Sequence, residues 1–374
     1  MKALVTGGGG FLGGAIVAQL LQRGDQVWSF ARGRYPQLAE QGVEVLRGDL
    51  ANEKDVHDAL GVAANAGCET VFHVAALAGS WGPESSYYGV NVAGTDNVIA
   101  ACRAHGIERL VYTSSPSVVL SGSDVVGGDE SLPYADHWLA HYPATKAEGE
   151  RRVLAANGSG LSTVALRPHL IWGPGDGHLL PRLVDRSRKG RLRRIGKGDK
   201  LIDAVYIDDA ARAHLLADER LVSERRSGEV SLHDGAQGAD VSATSERGGV
   251  QGAAGGSALG AAQPVAGRPF FVTAGAPIET WTMVNHLLAA AGEAPLTKQI
   301  SAKAARAAGA VLETVWRALY LKSEPPMTRW AAEELSTSHC FDITAARRDL
   351  GYEPQVSLED GLARLRAWCA SDGI

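Results

Sequence analysis

The chain has 374 residues, 45% of them hydrophobic, enough to bury one large core or two unequal ones. A formal net charge of -5 leaves no basic footprint for nucleic acid, and no run of about 18 apolar residues marks a transmembrane helix. Cys68, Cys102, Cys340 and Cys369 show no C-x-x-C spacing, and the N-terminus has no signal-peptide apolar core, so the reading is a reduced, cytoplasmic protein.

The first 170 residues alternate short β-rich runs with helical stretches, the pattern of an α/β protein with a doubly wound parallel sheet. "KALVT" (2–6) predicts a buried strand, and "FLGGAIVAQLLQRG" (11–24) a helix stopped at Gly24. "QVWSFAR" (26–32), "VEVLRGDL" (43–50) and "ETVFHVAA" (69–76) predict further strands, followed by a helix over 91–106. "ERLVYTSS" (108–115) is the fifth strand, 141–158 a helix, and "LSTVALRPHLIWGPGD" (161–176) the sixth strand. Beyond it, 177–222 mixes helix with one short strand at 201–209.

Residues 235–266 are rich in Gly, Ala and Ser and lack periodicity. They bury too little apolar surface to offset ordering and read as a mobile insertion. "RPFFVTAG" (268–275) resumes as a strand and 278–292 as an amphipathic helix. A division at about residue 174 follows: a dinucleotide-binding part, 1–174, and a smaller α/β substrate region, mainly 175–374. Parts of 201–234 and 268–275 complete the first sheet. In 301–321, Ala304, Ala307, Ala308, Val311, Leu312, Val315, Trp316, Leu319 and Tyr320 fall at three- and four-residue steps. This stripe is either packed on its own domain or turned to something lipid-like. The second case makes it a roof over the substrate, with Trp316 near its centre, or a peripheral contact with a membrane.

"TGGGGFLG" (6–13) places Gly7, Gly10 and Gly13 at G-x-x-G-x-x-G spacing around Phe11 and Leu12, between the first strand and the first helix. That context reads as a dinucleotide turn, with a pyrophosphate on the helix N-terminus. The second strand ends with Arg32 and Arg34 and no carboxylate, which favours NADP(H) over NAD. In "HYPATK" Tyr142 and Lys146 share one helix face. A nearby ammonium would lower the phenol from its usual pKa of about 10 and make Tyr142 a usable proton donor. His137 and His141 also stand four apart, but position 138 is Trp where a zinc protease needs Glu, so no metal is expected.

Together these motifs resemble the extended short-chain dehydrogenase/reductase family. The resemblance implies that the catalytic serine of "VYTSSPSVV" is Ser115, or Ser114 if the register slips by one. It also implies Asp49 and Leu50 beside the adenine, Ala75 and Ala76 along the cofactor, and Asn91 buttressing the site. "RPHLIWGPGD" (167–176), with Pro168, would close over the nicotinamide. "VYIDDAARAH" (205–214) and "STSHCFDITAARRDLGY" (336–352) resemble the 3β-hydroxysteroid dehydrogenase branch. "GSWG" (79–82) and "GTDNVIAACRAHGI" (94–107) are similar to the 2-alkyl-3-oxoalkanoate reductases of bacterial long-chain olefin biosynthesis.

The implied chemistry is NADPH-dependent reduction of a lipid-like β-keto acid. Lys146 holds the nicotinamide ribose, Ser115 polarises the carbonyl and Tyr142 protonates the alkoxide. Trp81, His169, Trp172 and Trp316 are then expected near the substrate. The implied assembly is a homo-oligomer or a complex with other enzymes of the pathway. Rival readings are a 3β-hydroxysteroid or sterol-carboxylate dehydrogenase, a sugar-nucleotide epimerase, and a non-catalytic NADP-sensing regulator.

Overall fold

The computed structural model describes residues 1–228 and 260–372. Seven parallel strands form the main sheet, in the order Pro269–Val272, Ser162–Pro168, Arg109–Thr113, Thr70–His73, Lys2–Thr6, Gln26–Ala31, Glu44–Arg47. Alternation along each strand builds two cores. Ala3, Val5, Val111 and Val164 face the helices Phe11–Gln22 and Ile207–Ser227 through Ile16, Val17, Leu20, Ala210 and Ala213. Leu4, Val71, Leu110 and Ala165 face the other way, onto Val56, Leu60, Val98, Cys102 and Val153 of the helices Glu53–Asn65, Gly94–Ala104 and His141–Ala155.

Several expectations change here. The helix Glu53–Asn65, which hydropathy did not bring out, is started by Asn52, whose side chain accepts the N–H groups of Lys54 and Asp55. The strand expected over 161–176 stops at Pro168, because Leu170 takes a left-handed φ of 40°. Ile171–Trp172 then pairs with Val205–Tyr206. The strand expected over 201–209 also divides: Leu201–Ile202 joins a small sheet with Ile278–Glu279 and His339–Phe341. From Ile207 the chain is helical, with Asp208 and Asp209 in the first turn, where the helix dipole favours them. Among the described residues, 207–227 of the 201–234 stretch give the main sheet a covering helix, 229–234 lie outside the described residues, and Pro269–Val272 is the edge strand of that sheet. Most of the stretch read as a mobile insertion lies outside the described residues. Its end is fixed: Val265 is buried, and the N–H groups of Val265 and Ala266 donate to the Glu224 carboxylate at 2.6 and 3.2 Å.

The stripe at 304–320 lies on the helix Ala302–Ala318, but its apolar side chains do not form the packing seam. The seam is Ala305, Gly309 and Glu313, set against Arg329–Glu334. A Cβ on Gly309 would press on the backbone of Thr328 and Arg329, and the Glu313 carboxylate accepts the Arg329 N–H at 2.7 Å. Val311 is 63% and Leu319 62% exposed. Packing of the stripe on its own domain is therefore corrected. Replacing Val311 and Leu319 together by Ser should cost under about 0.5 kcal/mol in urea unfolding, as surface changes do. A loss of 2 kcal/mol or so would return the stripe to the core. Among the described residues no helix is long and apolar enough to cross a membrane.

Candidate active site

The strand order reverses between Lys2–Thr6 and Thr70–His73, the place where open parallel sheets take ligands. Gly7, at φ 73°, donates its N–H to the Phe30 carbonyl at 2.8 Å, and Gly10 donates back to the Gly7 carbonyl at 2.8 Å. A Cβ on Gly13 would be driven into the Gly7 carbonyl oxygen, so only glycine lets the first helix come this close. That helix starts without a side-chain cap, leaving its first N–H groups for an anion.

The turn opens into a cleft of about 600 Å³. Of the expected cofactor residues, Gly7, Gly10, Phe11, Leu12, Gly13, Arg32, Asp49, Leu50, Ala75, Ala76 and Tyr142 all line it. Arg34 is exposed outside the lining, and Pro168 is buried within the sheet. Tyr35 and His178 line the cleft and were not foreseen. Tyr35 has a left-handed φ of 42°, and its ring lies where a Cβ on Gly9 or Gly33 would sit. The uncapped helix start and the glycine cradle fit a dinucleotide pyrophosphate, and Arg32 beside Asp49 fits its adenosine end.

Tyr142 opens the helix His141–Ala155. Burial pushes its phenol up, while a hydrogen bond with Ser115 works the other way. Ser115 caps the turn Pro116–Val118, accepting the Ser117 N–H at 3.2 Å. Ser114 is different: its N–H donates to the Leu166 carbonyl at 2.6 Å, and its buried hydroxyl has no partner among the described residues. Asn91, in the π-turn Gly89–Ala93, accepts the Leu77 N–H at 2.7 Å and donates to the Thr145 hydroxyl at 3.0 Å, tying that wall to the Tyr142 helix.

Lys146 directs its hydrogen bonds away from Tyr142. Its ammonium donates to the Tyr112 hydroxyl at 2.7 Å and the Thr113 carbonyl at 2.6 Å, and lies 4.0 Å from the Tyr112 ring centre. A buried cation needs acceptors, and these two supply them from beneath. Burial lowers the Lys146 ammonium to about 7, with the Glu150 carboxylate opposing. The lowering influence on Tyr142 thus comes from Ser115. Glu150 is fully buried and accepts two bonds from Arg167, at 3.0 and 2.5 Å, and one from the Tyr134 hydroxyl at 2.7 Å.

The residues expected at the substrate scatter. Trp172 is buried in the core, edge-on to Tyr206 at 5.1 Å, and leaves the site. Trp316, in the last turn of its helix, donates from Nε1 to the Ser323 hydroxyl at 3.3 Å. Trp81 lines two smaller cavities beside the cleft, with the Arg317 guanidinium 5.4 Å from its ring. His169 is half-buried at the bend after the sixth strand of the main sheet, its Nδ1 2.8 Å from an Asp203 carboxylate oxygen. Among the described residues no group of three His, Cys, Asp or Glu side chains gathers as a metal site.

The model of the 3-beta hydroxysteroid dehydrogenase/isomerase family matches residues 4–233. A 2-alkyl-3-oxoalkanoate reductase of Stenotrophomonas maltophilia is 48% identical, covering 99% of this chain and 100% of its own. A protein of the same name from Shewanella oneidensis is 43% identical, covering 98% of this chain and 85% of its own. Among solved structures, MoeE5 in complex with UDP-glucuronic acid and NAD superposes with a TM-score of 0.67 at 25% identity, each chain covered completely.

Proposed function

Because the chain belongs to the 3-beta hydroxysteroid dehydrogenase/isomerase family, we propose that it reduces the 3-ketone of a long-chain 2-alkyl-3-oxoalkanoate to the 3-hydroxy acid with NADPH. The protein is an oxidoreductase that depends on a nicotinamide dinucleotide. The observation that carries the reading is Tyr142, in the wall of the glycine-turn cleft with Ser115 as hydrogen-bond partner, where its phenol can give a proton to a carbonyl oxygen. Reduction is favoured by the 48% and 43% identity to proteins named as 2-alkyl-3-oxoalkanoate reductases. A 3β-hydroxysteroid dehydrogenase working oxidatively is the weaker reading.

When bound, the cofactor supplies a hydride to the carbonyl carbon. Ser115 polarises the carbonyl oxygen, and Tyr142 gives its proton to the oxyanion that develops there. Lys146 has three donors, two of them used on Tyr112 and Thr113, and the third serves the nicotinamide ribose. Residues 1–174 hold the cofactor and 175–374 mainly shape the substrate side. We place the enzyme in the cytoplasm, as a homo-oligomer or with other enzymes of its pathway.

Arg32, in the cleft wall, is assigned to the 2′-phosphate of NADPH; Arg34 adds only long-range charge. Arg32→Ala should weaken NADPH about 10-fold or more in a binding titration and NADH little, because a charge-assisted contact is lost. Equal weakening of both would remove Arg32 from cofactor choice. The function itself is tested by two parallel assays: NADPH oxidation with a 2-alkyl-3-oxo acid, and NAD⁺ reduction with a 3β-hydroxysteroid. Turnover confined to the steroid would overturn the reading.

A further inference from the structure

Beside Tyr142, residues 328–341 bring Trp330, Glu334, His339 and Phe341 against the bend at His169. The His169 ring is fixed. Its Nδ1 lies 3.0 Å from the Asp203 carbonyl oxygen and 2.8 Å from an Asp203 carboxylate oxygen. A carbonyl oxygen can only accept, so Nδ1 carries the hydrogen and Nε2 is the atom left for a ligand. Asp203 is fully buried, and its other oxygen accepts the Phe341 N–H at 2.7 Å, so the carboxylate cannot swing away. Phe341 meets the imidazole edge-on at 5.5 Å, and the His339 ring stands 6.0 Å off. No group among the described residues hydrogen-bonds Nε2.

Glu334 shares this corner. Its carboxyl lies 3.6 Å from His339 Nδ1, hydrogen-bonds Trp330, and is within electrostatic range of both His169 and Tyr142. Trp330 in turn sets its ring edge-on to Tyr142 at 6.4 Å. His339 brings no charge to the corner, because burial lowers it to about 3. The Glu334 carboxyl thus lies within electrostatic range of the Tyr142 phenol, and His169 within electrostatic range of Glu334. A 3-oxo acid held by its ketone at Tyr142 puts its carboxylate only one carbon away from the reacting carbon.

We propose that His169 Nε2 and the Glu334 carboxyl form the binding site for the carboxylate of the 3-oxo acid, with Asp203 as the positioning residue for the imidazole. The proposal rests on the reading of the substrate as a 3-oxo acid. Asp203, bonded at Nδ1, fixes the ring so that Nε2 is the edge turned to the substrate carboxylate. Glu334 contributes as a carboxylic acid: burial raises it to about 7, with His169 pulling it down and Glu333 pushing it up. Below that pH it donates a hydrogen bond to the carboxylate; above it, an ionised Glu334 repels the substrate.

The test compares a freshly prepared 2-alkyl-3-oxo acid with its methyl ester, using NADPH and the full-length enzyme. His169→Gln should cut the acid-over-ester ratio of kcat/KM by roughly tenfold or more, chiefly through the KM for the acid, as expected for loss of a charged hydrogen bond. The isosteric Glu334→Gln keeps a donor in place. It should therefore abolish the rise in KM for the acid that the wild type shows as pH passes upward through about 7. An unchanged ratio in His169→Gln, or an unchanged pH slope in Glu334→Gln, overturns the carboxylate site while leaving ketone reduction standing. A wild-type enzyme inactive on both acid and ester overturns the ketone-reduction reading, and this proposal with it.

Discussion

Tyr142→Phe should lower kcat on a 2-alkyl-3-oxo acid by about 10²–10⁴ while NADPH binding stays near the wild-type value. The substitution removes one oxygen from the cleft wall and leaves the glycine turn, Arg32 and Lys146 in place. No other group takes over readily. The Ser115 hydroxyl is tied to Ser117, and the Tyr112 hydroxyl is occupied by Lys146 and buried deeply enough to hold its proton well above the usual phenol range. The two halves of the result are separable: a fluorescence titration reads the cofactor, and single-turnover kinetics read the chemistry. Near-normal single-turnover rates in the Phe variant would mean that the proton comes from elsewhere.

The second large effect is on stability. Glu150→Ala should destabilise the fold by about 3–5 kcal/mol, because it strands the buried Arg167 guanidinium, 2% exposed, without its partner. Glu150 lies two turns beyond Tyr142 on the same helix, and Arg167 is in the strand Ser162–Pro168, so the pair fixes the Tyr142 helix to the sheet. The Glu150 carboxylate also props up the Lys146 ammonium against burial, so its loss should lower Lys146 further from about 7. Urea unfolding measures the first consequence, and the pH dependence of kcat in the variant the second. A cost under about 1 kcal/mol would show that Arg167 finds other acceptors, Tyr134 and backbone carbonyls being within the same core.

The sheet was legible because each of its strands carries a run of apolar residues, and the glycine turn because its three glycines sit between strand and helix. The helix Glu53–Asn65 was not. Val56, Ala59, Leu60, Gly61 and Ala63 face inward in a stretch that opens with charged residues, and the signal lay in the Asn52 cap rather than in hydropathy. The helix Ala302–Ala318 misled for the opposite reason. Its apolar residues are periodic, yet the packed face is made of Ala305, Gly309 and a carboxylate, and nothing in periodicity reveals that Glu313 would be buried by Arg329.

At the site, spacing put Tyr142 and Lys146 on one helix. It could not foresee that Tyr112 and Thr113, from a strand 34 residues earlier, would take the ammonium. Trp172 failed as a substrate residue because β-strand alternation turned it to the core, while His169, three residues before it, stands where the strand breaks. Asp203, Glu334 and Tyr35 carry no local motif. Only the folded chain brings Tyr35 to the cleft, and Asp203 and Glu334 to His169.

The most direct test of hydride delivery to the 3-ketone uses NADPH deuterated at the nicotinamide C4, prepared as the two C4 epimers and supplied with an unlabelled 2-alkyl-3-oxo acid. One epimer should yield a 2-alkyl-3-hydroxy acid with a single deuterium, located at carbon 3, and the other an unlabelled product. A product without deuterium from both epimers, or no hydroxy acid at all beside active steroid oxidation, would contradict it.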